Sequence, residues 1–321
     1  MLHPKDILAQ SETNSVLRAG VLDRPLLGRF ALAVNSFDEL NPTIGMALAE
    51  RIEPGEPIRQ IVAAPKQAIL EARHARDERR WYDVFLSWRL TPDWVVVLTG
   101  KRVLTAAMDR PGAAPVITAT RIEDILSFEF GRILLRAWVE WTFSHEGRAD
   151  CTRIYFNSVG ERWFKEALEY MRQNVVTGHT PQRDRHLAYL SDLPFKFMSL
   201  ITYSLLLPDE QVQAVVYQPA LWTTQMRLLR RQRSASRALV LTDRHLLIAE
   251  EELTGRADSW GLITRFLPRS RIQHVTVEQE QTSTGLQLIL EHQGATQTVR
   301  LAFEPGTEAA LTKMVARLQS E

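Results

Sequence analysis

Val97-Leu98-Thr99-Gly100-Lys101-Arg102-Val103-Leu104 and Val240-Leu241-Thr242-Asp243-Arg244-His245-Leu246-Leu247 are two versions of one phrase. In each, an aliphatic run ends in Leu-Thr, two turn residues follow, and a basic residue opens a second aliphatic run. The spacing predicts a β-hairpin, because β-branched and aliphatic residues suit a pleated, buried strand while the Thr-Gly or Thr-Asp step supplies turn chemistry. Gly100 and Asp243 are expected to reach positive φ at the first central position.

The match extends outward from the hairpin. Upstream, Glu53-Pro54-Gly55-Glu56-Pro57-Ile58 lines up with Leu207-Pro208-Asp209-Glu210-Gln211-Val212, and Pro65 then falls on Pro219 without a gap. Downstream, Arg121-Ile122 with Ile125 matches Arg271-Ile272 with Val275, and Arg153, Ile154 and Phe156 match Arg300, Leu301 and Phe303. Blocks that keep their order while the loops change length read as a duplicated unit. Further strands are predicted over 125–130, 133–143 and 153–156, and over 272–278, 286–291 and 298–303.

Each copy closes where the apolar period shifts from 2 toward 3.6. Trp163, Phe164, Ala167, Leu168 and Met171 form one helical stripe, entered through a Ser158/Glu161 capping box; Leu311, Met314, Val315 and Leu318 form the other, with Thr307 as N-cap. A short helix is also expected to lead into each copy, at 38–48 and 191–201. The fold class is therefore α+β, mainly β: two antiparallel barrels or sandwiches, each capped by a C-terminal helix. The divisions are a 1–35 extension, a first domain at 36–174, a linker at 175–190 and a second domain at 191–321.

At 321 residues, with 45% hydrophobic and 24% charged side chains, the chain has an ordinary globular composition and enough length for two cores. A formal charge of +1 gives no whole-chain field toward nucleic acid. Cys151 is the single cysteine, which excludes an internal disulfide or a CxxC site and fits a cytoplasmic protein. Met1 to Ala9 lacks the apolar core of a signal peptide, and the longest apolar stretch, Phe197 to Leu207, is about half a bilayer span. Any membrane contact is expected to be peripheral, at the inner membrane surface.

The Leu-Thr hairpins, the Arg-Ile pairs at Ile122 and Ile272, and the terminal helices together resemble bacterial pleckstrin-homology-like and GRAM-like domains. The resemblance covers about 53–173 and about 207–320. It implies modules that bind peptides, proteins or anionic lipid head groups and perform no chemistry. The long segments 69–92 and 221–237, between first strand and hairpin, depart from the compact pattern.

Those segments hold the candidate sites. In copy two, Arg227, Arg230, Arg231, Arg233 and Arg237 make the densest basic run, at the place where the resemblance puts contacts to phosphorylated head groups. Each exposed arginine contributes about 1 kcal/mol at an anionic leaflet, so this loop alone gives weak binding. The first reading of the same residues is a solvated basic hairpin, with anionic lipid or acidic protein contact behind it, and nucleic acid is disfavoured because aromatic interleaving is absent apart from Trp222. In copy one, Arg73, His74, Arg76, Arg79 and Arg80 are diluted by Glu71, Asp77 and Glu78. There, Arg76, Arg79, Arg80, Trp81 and Trp88, grouped with Tyr82 and Phe85, are a candidate partner surface, if the aromatics are not simply packed on the sheet.

No HExxH, GxGxxG, P-loop or GxSxG pattern occurs, and no histidine has a metal-ligating neighbour at helix or strand spacing. No catalytic residue, metal or cofactor is expected. The sequence reads as a non-enzymatic adaptor for a protein partner; the alternative is a peripheral binder of anionic lipid through the basic loop of copy two.

Overall fold

The computed structural model describes residues 30–71, 87–110, 112–176, 187–225, 229–251, 261–279 and 283–320. The chain is mainly β. Its first part runs β1 (Leu32–Val34), α1 (Pro42–Ala49), β2 (Ile58–Ala64), β3 (Ala68–Glu71), β4 (Ser87–Leu90), β5 (Asp93–Thr99), β6 (Arg102–Met108) and β7 (Val116–Arg121). After a 3-10 turn come β8 (Ile125–Ile133), β9 (Arg136–His145), β10 (Arg148–Asn157) and α2 (Glu161–Val175). The second part opens with α3 (Phe195–Leu200), continued by a π turn, then β11 (Val212–Gln218), β12 (Leu221–Gln225), β13 (Leu229–Ser234), β14 (Arg237–Thr242), β15 (His245–Glu251) and β16 (Gly261–Pro268). It ends with β17 (Ile272–Gln279), β18 (Thr284–His292), β19 (Ala295–Phe303) and α4 (Glu308–Gln319). The order of elements from β2 to α2 thus recurs, element for element, from β11 to α4.

Two compact units interleave along the chain, one of residues 1–121 with 154–167 and one of 122–153 with 168–321. In the first, the strands lie in the order β1-β2-β5-β6-β7. The second half of β2, Ile61–Ala64, and Val95–Leu98 of β5 are unbroken apolar runs buried on both faces. One face, with Ile61, Ala63, Val95, Val97, Leu104 and Met108, packs on Leu40, Ile44 and Leu48 of the α1 region. Asn41 caps α1 by accepting from the Thr43 N–H at 3.0 Å, with Pro42 at the first helical position.

In the second unit the order is β10-β9-β8-β16-β15-β14-β11, with β17-β18-β19 as a separate sheet. Leu239, Leu241, Leu246, Ile248 and Leu267 meet Leu286, Leu288, Leu290 and Leu301, and Leu311 and Met314 of α4 close that core. The opposite face of the β11–β16 strands carries Tyr217, whose ring lies 5.7 Å from that of Phe197 on α3.

Several expectations are corrected here. Neither large sheet closes into a barrel. Strand β16 gives its outer edge to β8, from Gly261↔Ile133 to Phe266↔Phe128, so the backbone groups that would close the sheet are already paired. Strands β8 and β9, expected to belong with the first 174 residues, thereby share a sheet with the C-terminal half. Leu32–Val34, expected to be part of an irregular extension, pairs with β2. Neither Gly100 nor Asp243 has positive φ; the Thr99 and Thr242 hydroxyls organise those turns instead. Asn157 caps the 3-10 turn that runs into α2, accepting from the Val159 N–H at 3.0 Å, and Glu161 pairs with Lys165. Thr307 does stand at the N-cap of α4, but its hydroxyl donates back to the Glu304 carbonyl at 2.7 Å.

Candidate functional site

The residues singled out in the sequence are scattered by the fold. Arg76, Arg79, Arg80, Trp81 and Arg227 lie outside the described residues, as do Arg73, His74, Tyr82 and Phe85. Trp88 falls on β4, and Arg230, Arg231 and Arg233 fall on β13. Strands β3–β4 and β12–β13 are each a two-stranded ribbon separate from the large sheets, inserted at the same point of the element order. Arg237 does not join the basic ribbon as a surface charge: it is buried, donates to Glu250 at 2.8 Å and to Ser234 at 3.0 Å, and lies over the Phe303 ring. A desolvated guanidinium held this way supports the sheet and presents nothing to a ligand.

The strongest electrostatic features are three acids committed to internal cations. Glu56, on the turn before β2, accepts from the Thr99 hydroxyl at 2.7 Å and from Arg102 Nε at 3.0 Å. The Arg102 hydrogen bond, partly offset by burial, holds its carboxyl down to about 2. Glu210, on the turn before β11, accepts from the Thr242 hydroxyl at 2.7 Å, contacts His245 Nδ1 at 2.8 Å and pairs with Arg172 Nη2 at 3.0 Å. Its side chain and that of His245 are fully enclosed. Burial pushes Glu210 up, but Arg172 and then His245 overcome it and the carboxyl lies at about 2. Burial also keeps His245 below its ordinary value, so the neutral ring donates through Nδ1–H. Arg172 completes the cluster by stacking 3.9 Å over the Phe266 ring and donating to the Leu205 carbonyl.

The third acid, Glu129 on β8, accepts from Trp138 Nε1 and from Arg265 Nε, both at 2.9 Å. Burial opposes ionisation there, and Arg265 with Trp138 still holds the carboxyl below its ordinary value. Arg153 joins Glu129 to Glu140. These clusters are structural in geometry, each carboxylate being taken up by an internal arginine. A cleft of about 540 Å³ opens elsewhere, beside Glu278, Ser283, Gln287 and Arg300, where the Arg300 guanidinium donates to Gln287 at 3.3 Å. Among the described residues, no group of three or more His, Cys, Asp or Glu is placed to hold a metal ion. No helix among them is long and apolar enough to cross a membrane.

A surface feature was missed by sequence reasoning. The β8–β9 hairpin turns at Leu134-Leu135, and both side chains stand in solvent, 70% and 68% exposed. Leu134 has φ +52°, a region in which a Cβ is crowded and which glycine or asparagine normally fills. The other two long hairpins turn at Glu146-Gly147 and Gln293-Gly294, where Glu146 and Gln293 share that positive φ, at +50° and +49°, and a glycine follows. Below the tip the hairpin is firm. The Trp138 ring lies flat against Gly131, where a Cβ would come within 2.0 Å of it, and β16 pairs with β8 as far as Ile133. The available signal was an apolar pair, Leu134-Leu135, between strands where turn residues belong; the predicted strand over 133–143 absorbed it. Phe195 and Tyr203 are further large side chains in solvent, at 76% and 84%.

No protein-family model matches the sequence, and no curated protein matches it. Among solved structures, the chain is similar to a pleckstrin homology domain from Shewanella amazonensis SB2B, with 16% identity and a TM-score of 0.27 over 39% of this chain and 96% of that domain.

Proposed function

We propose that this chain is a non-enzymatic binding protein made of two pleckstrin-homology-like modules in tandem, and that it recognises a protein partner. The observation that carries the reading is where its polar and apolar groups are spent. Acids of the kind that could serve as general acids or bases, Glu56, Glu129 and Glu210, are locked to arginines, while large apolar side chains such as Leu134, Leu135, Phe195 and Tyr203 are left in water. Exposed apolar side chains at firm positions cost solubility and are recovered by burial against a partner. The recurrence of the element order supports two modules, and the paired ribbons β3–β4 and β12–β13 give each one an added arm.

The test is photo-crosslinking in the source cell from a set of surface positions, including Leu90 on β4 and Tyr203. Discrete protein adducts at one or more positions are expected; adducts at none would sink the protein-partner reading. A second reading, anionic lipid contact, draws on Arg230, Arg231 and Arg233 standing together on β13. Vesicles with phosphatidylserine should then retain the chain at low salt, and changing those three arginines to Ala should abolish retention.

A further inference from the structure

We propose that molecules of this protein join head to tail, β7 of one pairing antiparallel with β17 of the next. This contact between like molecules stands apart from the partner proposed above. The chain already makes a joint of the same kind within itself, where β16 of the second half pairs with β8 of the first. β7 and β17 are the counterparts of those two strands in the opposite halves, and each is terminal in its sheet, β7 in β1-β2-β5-β6-β7 and β17 in β17-β18-β19. Among the described residues no strand pairs with the outer edge of either. A sheet edge offers its N–H and C=O groups to another chain unless charge, proline or a cover blocks it. From Val116 to Thr120, β7 has neither charge nor proline, and Val116 is 69% exposed.

The internal joint fixes the register of the one between molecules. Arg102↔Arg121 starts the β6–β7 ladder as His245↔Pro268 starts that of β15–β16, so Thr118 and Ala119 stand where Arg265 and Phe266 do. β8 and β17 carry the same irregularity, between Ile125 and Ser127 and between Ile272 and His274, so Val275 and Thr276 stand where Phe128 and Glu129 do. Copying Phe266↔Phe128 and Arg265↔Glu129 then gives Ala119↔Val275, Thr118↔Thr276, Ile117↔Val277 and Val116↔Glu278. The central side chains so paired match. Ile117 packs on the core on the α1 side of its sheet, Ala119 shares that face, and Val275 and Val277 pack on the core beneath β17–β19. Apolar residues therefore meet on one side of the seam and threonines on the other, whereas a slip of one residue would set Thr118 against a valine. The Thr118↔Thr276 pair takes the place of the Arg265–Glu129 ion pair. Pro115, which has no N–H, stands where Leu262 extends the internal ladder. The seam between molecules is thus shorter than the internal one and uncharged at its centre, which suits reversible association. Because β7 and β17 are different surfaces, each added molecule leaves one of each open, so the product is a ring or a filament rather than a twofold dimer.

The experiment uses the purified full chain, with Cys151→Ser removing its single cysteine. In analytical ultracentrifugation the average mass of this parent is expected to rise above that of one chain as concentration increases. Thr118→Glu with Thr276→Glu sets like charges directly opposite each other and should hold the chain as a monomer with its melting temperature unchanged. Thr118→Arg with Thr276→Glu rebuilds the internal ion pair between molecules and should bring association at a concentration on the order of 10-fold lower than the parent needs, an advantage lost at high salt. A second arm does not depend on the charged variants folding: a chain with Thr118→Cys is mixed with one carrying Thr276→Cys and mildly oxidised. The mixed disulfide should form, and neither chain alone should give a disulfide dimer. A parent that stays monomeric up to its solubility limit would overturn the joint. So would association that Thr118→Glu with Thr276→Glu leaves unchanged, or a cysteine mixture that yields no mixed disulfide.

Discussion

Glu56 and Glu210 hold the same place in the two halves and make the same bonds to the hairpin that follows, yet one cluster sits at the surface and the other is sealed. In both, the carboxylate accepts from the threonine that ends the first hairpin strand, and that threonine hydroxyl accepts the N–H three residues on, at 3.0 Å from Arg102 and 2.8 Å from His245. In the first half the cation is Arg102, the residue that opens the next strand, with its side chain 18% exposed and a second, solvent-facing partner in Glu53. In the second, the strand opens with His245, whose ring is buried and neutral, and the positive charge is imported from α2 as Arg172. The comparison shows a local, replaceable ion pair becoming a long-range one: where the second hairpin strand no longer opens with a guanidinium, one from a distant helix neutralises the acid. A buried pair adds little net stability over an apolar replacement, but breaking it by removing one partner is severe.

The largest test follows directly. Arg172→Ala should cost about 3–5 kcal/mol in urea unfolding, since it strands Glu210 in a dry site, whereas Arg102→Ala, in the solvated cluster, should cost about 1 kcal/mol. Equal costs for the two would dissolve the distinction. Next comes pH. His245 has a folded-state pKa below its unfolded value, so the unfolded chain binds the extra proton. Stability should therefore fall as pH drops below about 6.5, by up to about 1.4 kcal/mol per unit, and His245→Gln should remove that slope.

Glu56 gives a smaller effect at lower pH. Its stabilisation is present above the ordinary carboxylate pKa and is lost as pH falls toward about 2; Glu56→Gln should cost about 1 kcal/mol at neutral pH and flatten the acid limb. The smallest effect has the opposite sign: Leu134→Gly should stabilise the chain by about 0.5–1 kcal/mol, read as a raised urea midpoint, because glycine takes the positive φ without steric cost.

Much of this was legible beforehand, and unevenly. The paired Glu56/Glu210 and Thr99/Thr242 positions stood out as matching blocks, and the stripes on α2 and α4 gave the helices whose Phe164, Leu168, Met171, Leu311 and Met314 are indeed buried. Arg172 was invisible because it lies in a polar position of a helical pattern, and nothing local says that this position faces Glu210. Arg237 was grouped with the basic run for the complementary reason: a count of charges carries no information on which of them the fold encloses. The Leu134-Leu135 tip was absorbed into a strand because its residues favour strands; only the ladder positions of Ile133 and Arg136 show that the chain reverses between them.

The sequence by itself determined the repeated order of strands and helices, the apolar runs of the sheets and the absence of known catalytic patterns, because these are written in side-chain type and period. The tertiary structure alone decided that β16 pairs with β8, that Arg172 neutralises Glu210, and that two leucines stand in water. Strand edges join through backbone N–H and C=O groups that are the same at every residue, so their choice of neighbour leaves no mark in the sequence. Burial of a charge or exposure of a leucine likewise belongs to the assembled packing rather than to the residue.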